Sequence, residues 1–224
     1  MLYRGEVAMK VSVIVVVVFL VGLVSSGSLK EFSVPGSLRS QAAVRYRIDP
    51  AKSTFMVHAN RTGLLWFRGH SHRLAVRDFS GEASLTPDVV NPASLQMTVR
   101  TASLEETDPV FTQQEKNIIN KELKEIVLEP DKYPEIAFQS TSVRGGLKNG
   151  KIEVLITGDL NLHGVTKPIE IPATVTLEGN NLRAVGEFDI DRDDFGVEAT
   201  SAFHGLVRVK NNIKFVFDII AEKV

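Results

Sequence analysis

The segment Ile152–Leu162 reads IEVLITGDLNL, and apolar and polar residues alternate along it with Leu155 as the one break. Successive side chains of a β-strand point to opposite faces, so the segment is predicted to be a strand with one buried face and one solvated face. The same period recurs in Ile169–Leu177, Leu182–Ile190 and Ile213–Ile219. Each apolar face needs a partner, and a series of such strands therefore predicts an antiparallel barrel or a sandwich.

Further strands are predicted upstream, separated by turn signals such as Asn91-Pro92 and Asn149-Gly150. They are Val44–Ile48, Ser53–Ala59, Leu65–Val76, Gly81–Thr86, Ser94–Ala102 and Ile136–Val143. The stretch from Thr112 to Val127 has helical spacing instead. Its predicted packing stripe consists of Ile118, Ile119, Glu122, Leu123, Ile126 and Val127.

The composition excludes several classes of function. The chain has 224 residues, a formal net charge of −1 and no cysteine. Basic residues are scattered among acidic ones, so the basic footprint of a nucleic-acid-binding protein is missing and we expect no nucleic-acid partner. The lack of cysteine excludes disulfides, thiolate metal ligands and a cysteine nucleophile.

The N-terminus resembles a targeting segment. Lys10 is followed by an apolar run from Val11 to Val24 and then by small residues, a pattern typical of a secretory signal peptide over residues 1–27. The alternative is a membrane anchor, for which the run is short, since a spanning helix needs about 20 apolar residues. Residues 28–43 are predicted to be a flexible leader, and residues 44–224 form the predicted domain. We therefore expect a periplasmic or secreted protein.

Four segments carry a resemblance to a known family. They are YRIDPAKS at 46–53, KYPEIAF at 132–138, LNLHGVTKP at 160–168 with the following IEIPATV, and DRDDFGV at 191–197. In this order and spacing they resemble the YceI family, and Gly69-His70-Ser71-His72 looks like a divergent branch of it. The resemblance implies an all-β fold, a lipocalin-like antiparallel barrel of about eight strands with one flanking or capping α-helix. It also implies a secreted protein that binds long apolar chains such as polyisoprenoids.

The apolar row along the strands is the first candidate site. An eight-stranded barrel either fills with side chains or leaves room for one small ligand. We expect a polyisoprenoid, quinone or fatty-acid type of ligand in the lumen, and the lipid-like ligand is compatible with transient membrane contact. A fully packed barrel acting as an interaction scaffold is the alternative. The residues expected to face the ligand are Phe55, Val57, Phe67, Phe138, Ile156, Leu160, Val175, Phe188, Phe215 and Phe217.

Histidines form the second candidate site. His70 and His72 are two residues apart in a predicted strand, so their imidazoles share a face and are able to offer two nitrogen ligands to a divalent metal, with His58 as a candidate third ligand. This predicts, as an alternative function, a metal-binding or metal-dependent hydrolytic barrel. A second interpretation is that His70 and His72, with Arg68 and Arg73, hold a polar head group at the barrel mouth. The simplest alternative is that the histidines only form hydrogen bonds with neighbouring residues at the rim of the barrel.

Other motifs point to structure. His163 lies in a turn with Gly164 and is expected to be mainly structural. Glu105, Glu106 and Asp108 are expected to form a solvated connection. No nucleophile elbow, phosphate loop, dinucleotide fingerprint or zinc-protease motif occurs, so we expect a binding protein without a cofactor and not an enzyme.

Overall fold

The computed structural model describes residues 42–63, 70–86, 90–198, 201–202 and 207–224, and its chain is mostly β-strand. The predicted signal peptide and nearly all of the predicted leader lie outside these residues. The strands are β1 Val44–Ile48, β2 Thr54–Thr62, β3 His72–Val76, β4 Phe79–Leu85, β5 Ala93–Arg100, β6 Leu104–Glu106, β7 Glu135–Lys148, β8 Lys151–Leu162, β9 Val165–Glu178, β10 Asn181–Asp191, β11 Ser201–Ala202 and β12 Val207–Lys223. Between β6 and β7 lie the helix α1, Gln113–Glu122, and a π-helical turn, Leu123–Leu128.

The sheet closes into an eight-stranded antiparallel barrel. Its ring order is β1, β4, β5, β7, β8, β9, β10 and β12, and β12 pairs back onto β1 with Tyr46 opposite Lys223. Strands β2, β3 and β6 continue β1, β4 and β5 beyond short interruptions, and β2 also pairs with β12. The predicted fold class is therefore confirmed, as an up-and-down barrel with one helix.

Strand β8 shows why the sequence pattern forms this barrel. Its inward positions are all buried, whereas Glu153 and Asp159 on the other face are exposed. Gly158 occupies one inward position, and a Cβ there would lie 2.5 Å from the ring of Phe138 on the neighbouring strand. The glycine is needed because an aromatic side chain crosses it. The buried inward residues are Ile152, Val154, Ile156, Leu160 and Leu162.

The chain direction places α1 and the His163-Gly164 turn at one end of the barrel, which we call the helix end. The Asn149-Gly150 and Gly179-Asn180 turns lie at the opposite end. A short 3₁₀-helix, Arg192–Phe195, follows β10 at the helix end. Among the described residues, no helix is long and apolar enough to span a bilayer.

The predicted helix is present, and its predicted packing stripe is right in part: Leu123 is buried, Val127 packs against the core and Ile119 is partly buried. Ile118 is 56% exposed and Ile126 is 50% exposed, and α1 itself buries no residue. The π-helical turn, in which residues five apart share a face, brings Leu128 to the core beside Leu123. A capping box between Thr112 and Glu115 holds the first turn of α1.

Candidate functional site

An apolar cavity of about 170 Å³ occupies the middle of the barrel. Nine of the ten residues predicted to face the lumen line it, and Phe67 lies outside the described residues. The nine are Phe55, Val57, Phe138, Ile156, Leu160, Val175, Phe188, Phe215 and Phe217. Sequence alternation cannot distinguish a hollow barrel from a full one, so the space itself is a finding of the structure.

One side of the cavity is an aromatic wall formed by Phe55, Phe188, Phe215 and Phe217 on β2, β10 and β12. Phe188 and Phe215 stack with their ring centroids 4.9 Å apart and an interplanar angle of 8°, and Phe55 lies 6.1 Å from Phe215. Stacked rings offer a large rigid contact surface at little entropic cost. The wall is therefore a rigid apolar surface on one side of the cavity.

The lining offers no group that would hold a charge. It contains no Asp, Glu, Lys, Arg or His among the described residues, and the hydroxyls of the bordering Ser84 and Ser94 hydrogen-bond to each other on the exposed outer face at 2.7 Å. An unpaired charge in such surroundings is strongly disfavoured. The part of any ligand that enters the cavity must therefore be apolar.

A separate group of buried residues lies at the helix end of the barrel. Leu123 and Leu128 of the π-helical turn, with Phe195 and Val197 after β10, are each less than a tenth exposed and do not line the cavity. These four residues are thus packed outside the cavity, whose lining at this end includes Leu104, Ile136 and Leu162.

The polar groups predicted at the mouth lie at the helix end, where acidic residues already pair with them. The Nδ1 atom of His72 lies 2.8 Å from Oε2 of Glu106, and Nε of Arg73 donates to Asp108 at 2.7 Å. His70 is exposed, and Arg68 lies outside the described residues. Sequence reasoning missed both acidic partners because they come from β6 and the residues after it.

Glu106 is a buried carboxylate and not the solvated residue that the sequence suggested. Its side chain is fully buried and also accepts hydrogen bonds from the backbone amides of Arg73 and Asp108, at 3.2 and 2.7 Å. Burial raises the pKa of the carboxyl, but the hydrogen bonds from His72 and the two amides outweigh burial and hold the pKa below its ordinary value. Glu106 thus joins β3 to β6 as an anion.

Phe111 completes this cluster and was also missed. Its ring stacks on His72 at 5.3 Å with an interplanar angle of 10°, and it meets the ring of His70 edge-on at 5.4 Å. The two histidines therefore share one aromatic neighbour, as expected for side chains that share a face.

The geometry gives the metal hypothesis little support. In the β2–β3 ladder His58 lies opposite Arg73, while His72 lies opposite Ala59, so the side chains of His58 and His72 point to opposite faces. A carboxylate behind an imidazole does occur at metal sites. However, the described part of the chain holds no group of three His, Asp or Glu side chains able to bind a metal ion.

The turn after β8 is tight and packs against neighbouring side chains, as expected for a structural role. His163 has a φ of 52° and Gly164 a φ of 76°, and the His163 ring lies 4.1 Å from that of Tyr133. A Cβ on Gly164 would lie 2.9 Å from the Tyr133 ring, and Nε2 of His163 lies 3.2 Å from Oε2 of Glu129. The turn is thus packed against the segment that follows the π-helical turn.

Comparison with known proteins identifies the family of the barrel domain. The YceI-like domain model matches residues 46–221, which is most of the chain. The chain belongs to the YceI-like family. A UPF0312 protein of Pseudomonas fluorescens is 37% identical over 131 residues, covering 54% of this chain and 61% of its own. Protein YceI of Escherichia coli is 33% identical over 149 residues, covering 65% and 69%. The matches thus span about two thirds or less of these relatives.

Solved structures share the fold at low sequence identity. BcnA of Burkholderia cenocepacia has a TM-score of 0.61 at 21% identity, covering 77% of this chain and 98% of its own. A polyisoprenoid binding domain from Saccharophagus degradans has a TM-score of 0.60 at 15% identity, covering 81% and 99%. At these identities the likeness extends to the YceI-like barrel alone.

Proposed function

We propose that this YceI-like protein is an extracytoplasmic carrier that holds the apolar chain of an amphiphilic lipid, of polyisoprenoid, quinone or fatty-acid type, in its barrel. The observation that carries the proposal is the central cavity with a purely apolar lining and one aromatic wall. The protein acts by binding and release without chemistry. The signal-peptide pattern of residues 1–27 supports the location, and a lipid cargo requires transient contact with a membrane.

The energetics favour a ligand with several isoprene-sized units. Burying one methylene stabilises a complex by about 0.8 kcal/mol, so a five-carbon unit contributes about 4 kcal/mol. Association costs about 4–15 kcal/mol before any net affinity results. About two to four buried units are therefore needed for useful binding, and selectivity for the end of the chain is expected to be loose.

The head group is expected to stay outside the cavity, because no polar partner is present within it. Exposed His70 and the neighbouring Arg73, with Arg68, are the proposed polar contacts at the helix end. Their contribution is expected to be modest, since Arg73 is already paired with Asp108.

The direct test uses mature protein stripped of lipid by organic extraction under denaturing conditions and then refolded. Lipids in the extract are identified by mass spectrometry, and native mass spectrometry then measures uptake of farnesol, a menaquinone and oleate. We expect one ligand per barrel for at least one class. The exposed-site variant Ile118→Ser serves as the matched control and should bind as the parent does. If the extract contains no lipid and none of the three probes binds, the carrier proposal is wrong.

A further inference from the structure

The ladder between β9 and β10 stops part-way along both strands. Pairing runs from Asn181 opposite Glu178 to Val185 opposite Thr174 and goes no further. The outer ladders of the same two strands continue, β9 with β8 as far as Val165 and β10 with β12 as far as Asp191. Towards the helix end the two strands are therefore no longer paired with each other, while each stays paired with its other neighbour, and we call this unpaired stretch the seam. The strands remain in contact where the seam begins, since a Cβ on Gly186 would lie 2.4 Å from the backbone oxygen of Pro172.

Two prolines account for the end of the ladder. Pro168 and Pro172 lie four residues apart on β9 and lack an N–H. Residues of an antiparallel strand direct their N–H groups alternately to one neighbour and the other, so both positions face the same side. The β8–β9 register is unbroken at Leu155 opposite Pro172 and Asp159 opposite Pro168. The missing donors are therefore on the side that faces β10.

The seam leads into the cavity. Ile169 and Ile171 of β9 and Phe188 of β10 border it on the inside, and all three line the cavity. Ile169 and Phe188 are only partly buried, whereas the inward side chains of the fully paired β8 are all buried. However, Ile171 at the seam is buried, and Phe215 and Phe217 on the fully paired β12 are also only partly buried, so side chains close the seam in this structure and it must open to admit a chain.

The seam has defined limits. One limit is the last ladder pair, Thr174 opposite Val185, and the other is an ion pair at the helix end between Lys167 of β9 and Asp194 of the 3₁₀-helix, at 2.5 Å. Both ion-pair side chains are about half exposed, so the contact is expected to be weak and easily opened.

Cavity size explains why such an opening matters. An apolar cavity of about 150 Å³ takes a molecule of the size of benzene. The 170 Å³ found here is close to that value. A ligand of several isoprene units needs more room, and at the helix end the buried Leu128 and Phe195 do not line the cavity.

We propose that the seam between β9 and β10 is a lateral portal through which the apolar chain of the ligand enters, with part of a long chain remaining in the seam. This rests on the proposed carrier function and adds the route and the tolerated length. Exposed Glu170, Glu187 and Asp189 lie on the outer face of the strands at the seam, so an uncharged chain end is preferred there over an anionic one.

The test locks the seam from outside. Glu170 and Asp189 are exposed, would lie opposite each other if the register continued, and are replaced together by cysteine in a chain that otherwise has none. A short bis-maleimide joins the pair without requiring the strands to approach. The control is the pair Thr176→Cys and Arg183→Cys, which lie opposite each other in the intact part of the same ladder.

Uncharged solanesol is offered in phosphatidylcholine vesicles, and its transfer to the protein is followed after the vesicles are removed. Locking the seam is expected to slow solanesol uptake at least about tenfold, since the gate no longer opens, while the locked control pair and the unlinked variant transfer it normally. Toluene, which fits within the cavity, should still bind the locked protein. Normal solanesol uptake by the locked protein would overturn the portal and leave the carrier function standing. Failure of the unmodified protein to bind solanesol, farnesol, menaquinone and oleate would instead reject the carrier function and the portal with it.

Discussion

Replacing Ala184 by leucine tests whether the cavity is real space available to a ligand. Ala184 lies on β10, lines the cavity and is partly buried between Val175 and Ile219 on the flanking strands. An empty apolar cavity costs about 24 cal/mol per Å³, so the 170 Å³ here costs about 4 kcal/mol in the unliganded protein. Leucine adds three carbons, and their burial stabilises the fold by up to about 2 kcal/mol if they fit without strain.

The same change should weaken binding, because the added carbons and the ligand compete for one space. We expect the free energy of unfolding in urea to rise by about 1–2 kcal/mol and the affinity for farnesol to fall at least about tenfold, equivalent to about 1.4 kcal/mol. Val185→Leu is the matched control, since its side chain points to the opposite face of the same strand. A loss of stability above about 1 kcal/mol with farnesol binding retained would indicate overpacking at a site that no ligand uses, and would refute the reasoning.

Three further predictions concern the frame around the cavity. Glu106→Gln should cost about 2 kcal/mol at neutral pH, since a charged acceptor is lost. Because the folded-state pKa of Glu106 is lowered, its stabilisation is present above the ordinary carboxyl pKa and is lost as the pH falls through the folded value, so urea titrations should show a flatter acid limb in the variant. Gly164→Ala should lower the melting temperature more than Gly179→Ala, because both have positive φ but only the former meets an aromatic ring; equal effects would exclude that contact as the cause. Leu123→Ala should cost about 2–5 kcal/mol and Ile118→Ser less than about 0.5 kcal/mol, and the reverse order in urea would contradict the burial of Leu123 and the exposure of Ile118.

The barrel and its lining were predictable because alternation is a local property. In a strand such as Ile152–Leu162 the alternation of apolar and polar residues identifies the inward face. The inward residues of successive strands must then meet once the sheet closes. The same rule placed Phe138, Phe188 and Phe215 on the lumen side before their partners were known. Whether the lumen is hollow depends on how side chains from different strands fit together, and no single strand carries that information.

The polar cluster was less predictable because its members come from separate elements. His72 was recognised as a candidate, but its partner Glu106 reads as one of several acids in a connection. Burial of that carboxylate results from the β3–β6 pairing, which sequence periodicity over three residues cannot reveal. The helix was predictable only in part for a related reason: Leu123 and Val127 fit helical spacing, whereas Leu128 reaches the core because the last turn is π-helical.

The segment 160–168 is the part of the chain that most clearly resembles the family, and it has two separate structural effects. His163 and Gly164 supply consecutive positive φ values, which fold the chain back against Tyr133 and start β9 in register with β8. Pro168, repeated four residues later as Pro172, then withdraws donors from the opposite edge of β9 while leaving the β8 ladder intact. The same short segment thus starts the pairing of β9 with β8 and limits the pairing of β9 with β10. Because the ladder to β10 ends at these prolines, the unpaired edge of β9 is where we place the proposed portal.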